Sequence, residues 1–276
     1  MRDYLDWPRE VSIETYAKCN AACVFCPYTQ MERQGERMPD EILDRIIEEL
    51  KDHPHPFIIA PFKVNEPFLD KRLIPFCQKV NAELPNAFLR IFSNGQALTN
   101  KNIVDVAHLE RVAHLWISLN SHDPAEYRAT MGLDFEKTAK SLDELHTAVQ
   151  FGIFSHDVVL SRVHQDHIAR EPFVDYCSER WPLFKVVTLK RDSWLGDIEG
   201  MDRPIPDAPC GRWYELSITA TGEVSRCCMD GQCKHPIGDL RTQSLFEVYN
   251  GKQWRKQRLT EMSRKETGTV CAGCNY

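Results

Sequence analysis

The stretch that decides how this chain is read is Cys19-Asn20-Ala21-Ala22-Cys23-Val24-Phe25-Cys26. Three thiols fall within eight residues, and no fourth cysteine follows nearby. Three thiolates on one loop hold three corners of an iron–sulfur cubane and leave one iron without a protein ligand. An open metal position is what a catalytic site needs and what a structural site avoids. A zinc site completed by a distant histidine is the competing reading. Just upstream, Val11-Ser12-Ile13-Glu14-Thr15 has the composition of a strand, so the loop starts where a strand ends.

The rest of the chain must house that loop. Its 276 residues carry 34 Lys+Arg against 40 Asp+Glu, a net charge of −6, and 42% are hydrophobic. That is enough apolar material for one catalytic domain with a small appendage, and it excludes a disordered or fibrous chain. The acidic balance argues against nucleic acid as the main partner. No run of about eighteen apolar residues exists to span a membrane. The charged opening MRDYLDWPRE lacks the apolar stretch of a signal peptide, so a cytoplasmic location is expected. In a reducing compartment, eleven cysteines, an odd number, point to metal ligation rather than to a disulfide framework.

Strand-like runs recur at Val11–Thr15, Phe57–Phe62, Ala87–Phe92, Ala113–Leu119, Asp157–Val163 and Phe184–Leu189. Helical segments separate them at Asp40–Asp52, Asp70–Leu84, Asn100–His108, Phe135–Phe151 and Glu171–Glu179. Pro39-Asp40-Glu41 opens the first of these, and Ile42, Ile46, Ile47 and Leu50 form its apolar stripe. Strand and helix in alternation predict an α/β fold with a parallel sheet and right-handed crossovers, a partial (β/α)6 barrel of TIM type. The chemistry of such barrels sits at the C-terminal ends of the strands, where the cysteine loop falls.

With aromatic Phe25 before its third cysteine, CxxxCxxC after a first strand resembles the radical S-adenosylmethionine (SAM) superfamily. The resemblance implies a 4Fe-4S cluster on Cys19, Cys23 and Cys26, its open iron chelated by the amino and carboxylate groups of SAM. Phe25 then packs near the adenine. It further implies reductive cleavage of SAM to a 5′-deoxyadenosyl radical that abstracts hydrogen from a substrate. The radical chemistry belongs to the cofactors, and positioning and shielding to the protein.

Other strand ends resemble motifs of the same superfamily. Val64-Asn65-Glu66-Pro67 resembles the Gly-Gly-Glu-Pro element that contacts the SAM amino group, which implies Glu66 and its neighbour Asn65, although both glycines are missing. Ser93-Asn94-Gly95 resembles the Thr-Asn-Gly turn, either as a ligand contact through Ser93 and Asn94 or as a turn that needs only Gly95. Ile117-Ser118-Leu119-Asn120 stands where the superfamily often carries Ser-Leu-Asp-Gly, which implies Ser118 and Asn120 at the SAM ribose. Met131 replaces an arginine common before the glycine that is here Gly132. Arg128 or Arg162 is left for the SAM carboxylate.

After Leu189 the pattern changes. Pro204, Pro206 and Pro209 interrupt regular structure and divide a core at 1–203 from an appendage at 204–276. Gly222-x4-Cys227, Ile237-Gly238-Asp239-Leu240, the helical run Leu245–Leu259 and the terminal Cys271-Ala272-Gly273-Cys274 resemble the auxiliary domain called SPASM, or its shorter twitch form, a small α+β unit. The resemblance implies one auxiliary 4Fe-4S cluster on Cys210, Cys227, Cys271 and Cys274, with Cys228 as the alternative to Cys227. Zinc is the other metal that four cysteines ending in CxxC hold. Cys77 and Cys177 stand alone in apolar helical stretches and read as core thiols.

The expected reaction resembles that of the twitch-domain dehydrogenase. The radical removes hydrogen from the secondary carbinol carbon of a small hydroxylated substrate, a sugar, aminocyclitol or nucleoside. A base takes the hydroxyl proton, and the auxiliary cluster accepts the remaining electron. Redox-neutral epimerisation stays open, with Cys228 or Cys233 returning hydrogen. So does peptide modification, although the stretch before Val11 is short for a leader-binding extension. An iron–sulfur electron carrier is the non-enzymatic alternative. His164, followed by Asp166 and His167, is the candidate base, a solvated loop being the other reading of that stretch, with His122, Asp192 and Trp194 also at strand ends. Arg191 follows the sixth strand and is expected at the barrel mouth. The expected partners are the small-molecule substrate and a flavodoxin- or ferredoxin-type reductant, with neither nucleic acid nor membrane.

Overall fold

The computed structural model describes residues 2–164 and 171–276. Among them, nine strands form one sheet: β1 (Glu10–Ile13), β2 (Phe57–Ala60), β3 (Ala87–Ser93), β4 (Val112–Ser118), β5 (Val158–Val163), β6 (Lys185–Leu189), β7 (Glu215–Ile218), β8 (Glu223–Ser225) and β9 (Pro236–Asp239). Their order is β6-β5-β4-β3-β2-β1-β7-β8-β9. The pairs from β1 to β6 are all parallel, which makes the partial barrel expected from the alternation of strands and helices. The observed strands differ from the expected runs only at their ends.

The helices are α1 (Asp40–Leu50), α2 (Leu73–Glu83), α3 (Asn100–Ala107), α4 (Pro124–Met131), α5 (Phe135–Gln150), α6 (Glu171–Arg180), α7 (Leu245–Tyr249) and α8 (Lys252–Thr260). Alternate strand residues, among them Val11, Ile13, Ile59, Leu89, Ile91, Leu115, Ile117 and Leu160, join Ile42, Ile46, Ile47 and Leu50 of α1 in one core. Cys77 and Cys177 are fully buried within it. The residues between them on the strands face the opposite, concave side. Phe92 and Trp116 are paired in register there, and Phe62 stacks on Phe92 with ring centroids 4.6 Å apart.

Two expectations need correction. The segment before α5 contains a further helix, α4, capped by the Asp123 side chain on Glu126 N and stopped by Gly132 at a φ of +69°. The run Leu245–Leu259 is two helices, α7 and α8, broken at Asn250-Gly251. The appendage also extends the barrel sheet: β7 pairs in parallel with β1, Val11 facing Leu216 and Ile13 facing Ile218, and β8 and β9 follow antiparallel.

Buried charge lies at this seam. The Lys63 ammonium, just past β2, is 2% exposed and donates to Ser217 Oγ at 3.1 Å, Ser225 Oγ at 2.8 Å and the Asp230 carbonyl at 2.9 Å. Three donors meet three acceptors, all from the tail. Beside it, Arg33 pairs with the fully buried Glu14 at 2.6 Å and donates to the Gly231 carbonyl at 2.7 Å, while Glu14 accepts from Ala220 N at 3.1 Å. Lys63→Met strands three buried acceptors and is expected to cost about 3 kcal/mol. Thermal melting of the variant is expected to show a Tm lower by roughly 6–10 °C; an unchanged Tm contradicts the seam's role.

Candidate functional site

The cysteine loop is fixed from four sides. Glu66 N donates to the Lys18 carbonyl at 2.8 Å from the turn after β2. Asn94 Nδ2 donates to Asn20 Oδ1 at 2.7 Å from the turn after β3. The end of α4 supplies two carbonyls, Met131 O to Ala22 N at 2.9 Å and Thr130 O to Val24 N at 3.0 Å. A Cβ on Gly132 would stand 3.2 Å from that of Ala22, so glycine both ends α4 and admits the loop. Trp194 Nε1 donates to the Phe25 carbonyl at 2.8 Å from the segment after β6. Burial pushes the Cys19 thiol up to about 12 and that of Cys26 to about 11, and raises Cys23 as well. Metal loading must therefore expel protons here.

Glu66 lies beside this loop, 3% exposed. Its Oε1 accepts from Ser93 Oγ at 2.9 Å and Phe68 N at 3.2 Å, and its Oε2 from Asn94 N at 2.6 Å. Burial raises its pKa to about 7, against the pull of those donors. Neighbouring Asn65 is also buried. Its Oδ1 accepts from Lys63 N at 2.9 Å, and its Nδ2 has no hydrogen-bond partner among the described residues. A buried carboxylate poised near neutrality and an unpaired amide donor suit a ligand that brings both an amino donor and an acceptor. Ser118 is half-buried at the end of β4, opposite Ser161. Asn120 takes a φ of +62°, accepts from Val163 N at 2.8 Å and places Nδ2 2.9 Å from the Met131 sulfur. Its amide is thus used within the protein. The same sulfur lies 3.4 Å from Cys23 Sγ.

In the tail, Cys210, Cys227, Cys271 and Cys274 line one cavity. Cys228 does not line it; its nearest charges include Arg212 and Glu215. Among the described residues, no three His, Cys, Asp or Glu side chains converge tightly enough for a single metal ion. Zinc draws all its sulfurs to about 2.3 Å, whereas a cubane takes each thiolate on a different iron, so thiols spread around a cavity suit the cluster. The turn after Cys227 touches the first loop: a Cβ on Gly231 would lie 2.7 Å from Pro27 Cγ and 3.1 Å from the Trp194 ring. Pro27 directly follows Cys26.

A family profile described as the radical SAM superfamily matches residues 13–163. The chain belongs to the radical SAM superfamily. The SPASM profile, described as an iron–sulfur cluster-binding domain, matches residues 210–275. Among solved structures, BtrN in complex with AdoMet and 2-DOIA is similar at 17% identity and a TM-score of 0.66, over 97% of this chain and 93% of that one. Streptococcus suis SuiB bound to precursor peptide SuiA matches at 13% identity and a TM-score of 0.70, over 91% of this chain and 66% of that one. Native anSMEcpe with bound AdoMet matches at 13% identity and a TM-score of 0.66, over 90% and 81%. At these identities the likeness is one of fold. No curated protein matches the chain. This radical SAM enzyme thus takes SAM and a 4Fe-4S cluster in its core and an auxiliary iron–sulfur cluster in its SPASM region.

The other candidates fall in several places. Phe25 is half-buried in the cysteine loop. Arg128 lies exposed on α4. Arg162 is 1% exposed on the helix side of β5, its guanidinium 5.5 Å from the Phe173 ring centroid. His164 is half-buried at the end of β5, its N donating to the Leu189 carbonyl. Arg191 is half-buried after β6, its carbonyl accepting from Met201 N. Asp192 pairs with Arg203. His122 packs on the Tyr176 ring on the helix side. Cys233 takes a φ of +60° beside Asp230, and burial pushes its thiol up to about 12. Asp166 and His167 lie outside the described residues. Sequence reasoning missed Lys63, and it read Met131 only as a missing arginine; nothing local marks either.

Two measurements check the site in this radical SAM enzyme. Glu66→Gln is expected to weaken SAM binding about 10- to 100-fold. Wild-type affinity is expected to rise with pH through about 7, because Glu66 must lose a proton before both of its oxygens accept N–H hydrogen bonds from the SAM amino group, and the variant's affinity is expected to lack that rise. Calorimetry across this range reads both. Iron analysis after anaerobic reconstitution is expected to find about eight irons per chain in the wild type and in Cys228→Ser, and about four in Cys227→Ser.

Proposed function

We propose that residues 1–203 form the radical SAM core and 204–276 the auxiliary domain of an enzyme that oxidises a secondary alcohol on a small hydroxylated substrate. The observation that carries this reading is the cavity lined by Cys210, Cys227, Cys271 and Cys274. Four thiols satisfy every iron of a cubane and leave no position for substrate, which suits an electron acceptor. When loaded, the two cofactor sites supply a 5′-deoxyadenosyl radical to take the carbinol hydrogen atom and a sink for one electron. The protein must take the hydroxyl proton, and His164 is the proposed base, with Arg191 beside the substrate. Cys19, Cys23 and Cys26 hold the first cluster, and Asn65, Glu66, Ser93, Asn94 and Ser118 the SAM.

The concave face supports the substrate class. Phe62, Phe92 and Trp116 are half-buried in a row across β2 to β4, with Phe92 and Trp116 centroids 5.9 Å apart. Below them Arg90 pairs with Glu10 at 2.7 Å, and His114 Nε2 is buried without a hydrogen-bond partner among the described residues. An aromatic wall over a few polar groups fits a ring whose C–H face stacks and whose hydroxyls bond. The thiols of the chain suit a reducing cytosol with a flavodoxin- or ferredoxin-type reductant.

One observation favours a second reading, epimerisation. Cys228 stands outside the four-cysteine cavity, near inward-facing Glu10 and Glu215, and is thus left for hydrogen return. Anaerobic turnover of a panel of polyols and aminocyclitols in deuterated water separates the two. A ketone formed in step with 5′-deoxyadenosine is the expected result. Solvent deuterium at an inverted carbon, lost in Cys228→Ala, supports the epimerase and overturns the oxidation.

A further inference from the structure

Three arginines line the four-cysteine cavity, and their donors are differently occupied. Arg212 is neutralised by Glu215 at 2.7 Å and also donates to the Tyr276 hydroxyl. Arg264 spends its donors on the backbone oxygens of Ala208, Pro209 and Tyr276. Arg226, directly before Cys227, differs. Its Nε and Nη1 are shut off from solvent and have no hydrogen-bond partner among the described residues; its guanidinium lies 5.6 Å from the Trp254 ring centroid.

A half-buried guanidinium with two shielded, idle donors is costly unless an acceptor, best an anion, meets them. No Asp or Glu side chain lines this cavity, whereas four cysteines do. A cubane on four thiolates is a dianion when oxidised and a trianion when reduced, so it offers both the charge and the sulfur acceptors. We infer that Arg226 donates N–H hydrogen bonds to the sulfurs of the auxiliary cluster and raises its reduction potential. The cation stabilises the more negative, reduced form more than the oxidised one. The inference rests on the proposed auxiliary cluster and deepens its reading as an electron acceptor, since Arg226 is the feature that tunes it for that task.

The test is a potentiometric titration of reconstituted protein, with the two clusters followed separately by electron paramagnetic resonance and iron counted in parallel. Arg226→Gln is expected to keep its iron and shift the auxiliary cluster's reduction equilibrium at least tenfold toward the oxidised form, 59 mV for one electron. The SAM cluster's potential is expected to stay unchanged. Should Arg226→Gln lose tail iron, Arg226→Lys, which keeps the charge and loses the planar fork, is expected to retain iron and show a smaller shift in the same direction. An unchanged auxiliary potential in whichever variant holds the cluster overturns the inference and leaves the oxidation reading intact. Ketone formation with an unshifted potential is therefore distinct from a wild-type tail without iron, which overturns both.

Discussion

A single ammonium, on Lys63, fixes the geometry on which both sulfur-rich sites depend. Taking an amine out of water is expensive, and here burial lowers its pKa. The cost is offset only because all three N–H bonds find acceptors on the tail at 2.8–3.1 Å. Ser225 passes this order on: its hydroxyl, held by Lys63, lies 3.0 Å from the Cys227 carbonyl. The turn that carries Cys227 is thus set by a residue next to the Val64–Pro67 motif of the core. Arg33, seven residues past Cys26, makes a parallel tie to Gly231. Buried polar links of this kind specify one arrangement because any other leaves groups unpaired.

The core obeys a different balance. Three hydrogen bonds to Glu66 favour its ionised form, yet desolvation outweighs them. A carboxylate so placed gains more from an incoming cation than an exposed one does, since its charge is screened by little water. One of its donors, Asn94, also anchors the cysteine loop through Asn20. Glu66 and the cysteine loop therefore share one hydrogen-bond network.

Much of this was legible in the residues themselves. The six parallel strands are short apolar runs ending at polar turns, a local signal, and the three-thiol spacing needs nothing beyond eight residues. Helix α4 was hidden because Pro-Ala-Glu-Tyr-Arg-Ala-Thr-Met carries little apolar stripe, although Asp123-Pro124 and Gly132 mark its ends. The break at Gly251 was masked by the helix-forming residues on both sides of it. Lys63 and Arg226 were invisible for another reason. The partners of Lys63 lie 154 to 167 residues away, and Arg226 faces a cavity formed by segments that only folding assembles. Cys228 resisted for the opposite cause, since its neighbour has the same chemistry and only the cavity wall tells them apart.

The pairing of β7 with β1 carries a topological consequence. A strand has two edges, and those of β1 are taken by β2 and β7. Strand β6 therefore has no edge of β1 to close against, and the curved sheet stays a trough instead of a cylinder. A closed barrel of so few strands would fill its interior with its own side chains. The trough instead has one long side without strand pairing, and the segment after β6 covers it, with Trp194 against Gly231 and Lys234 paired with Asp197, so the space over the aromatic wall is bounded there by side-chain contacts instead of by a hydrogen-bonded strand.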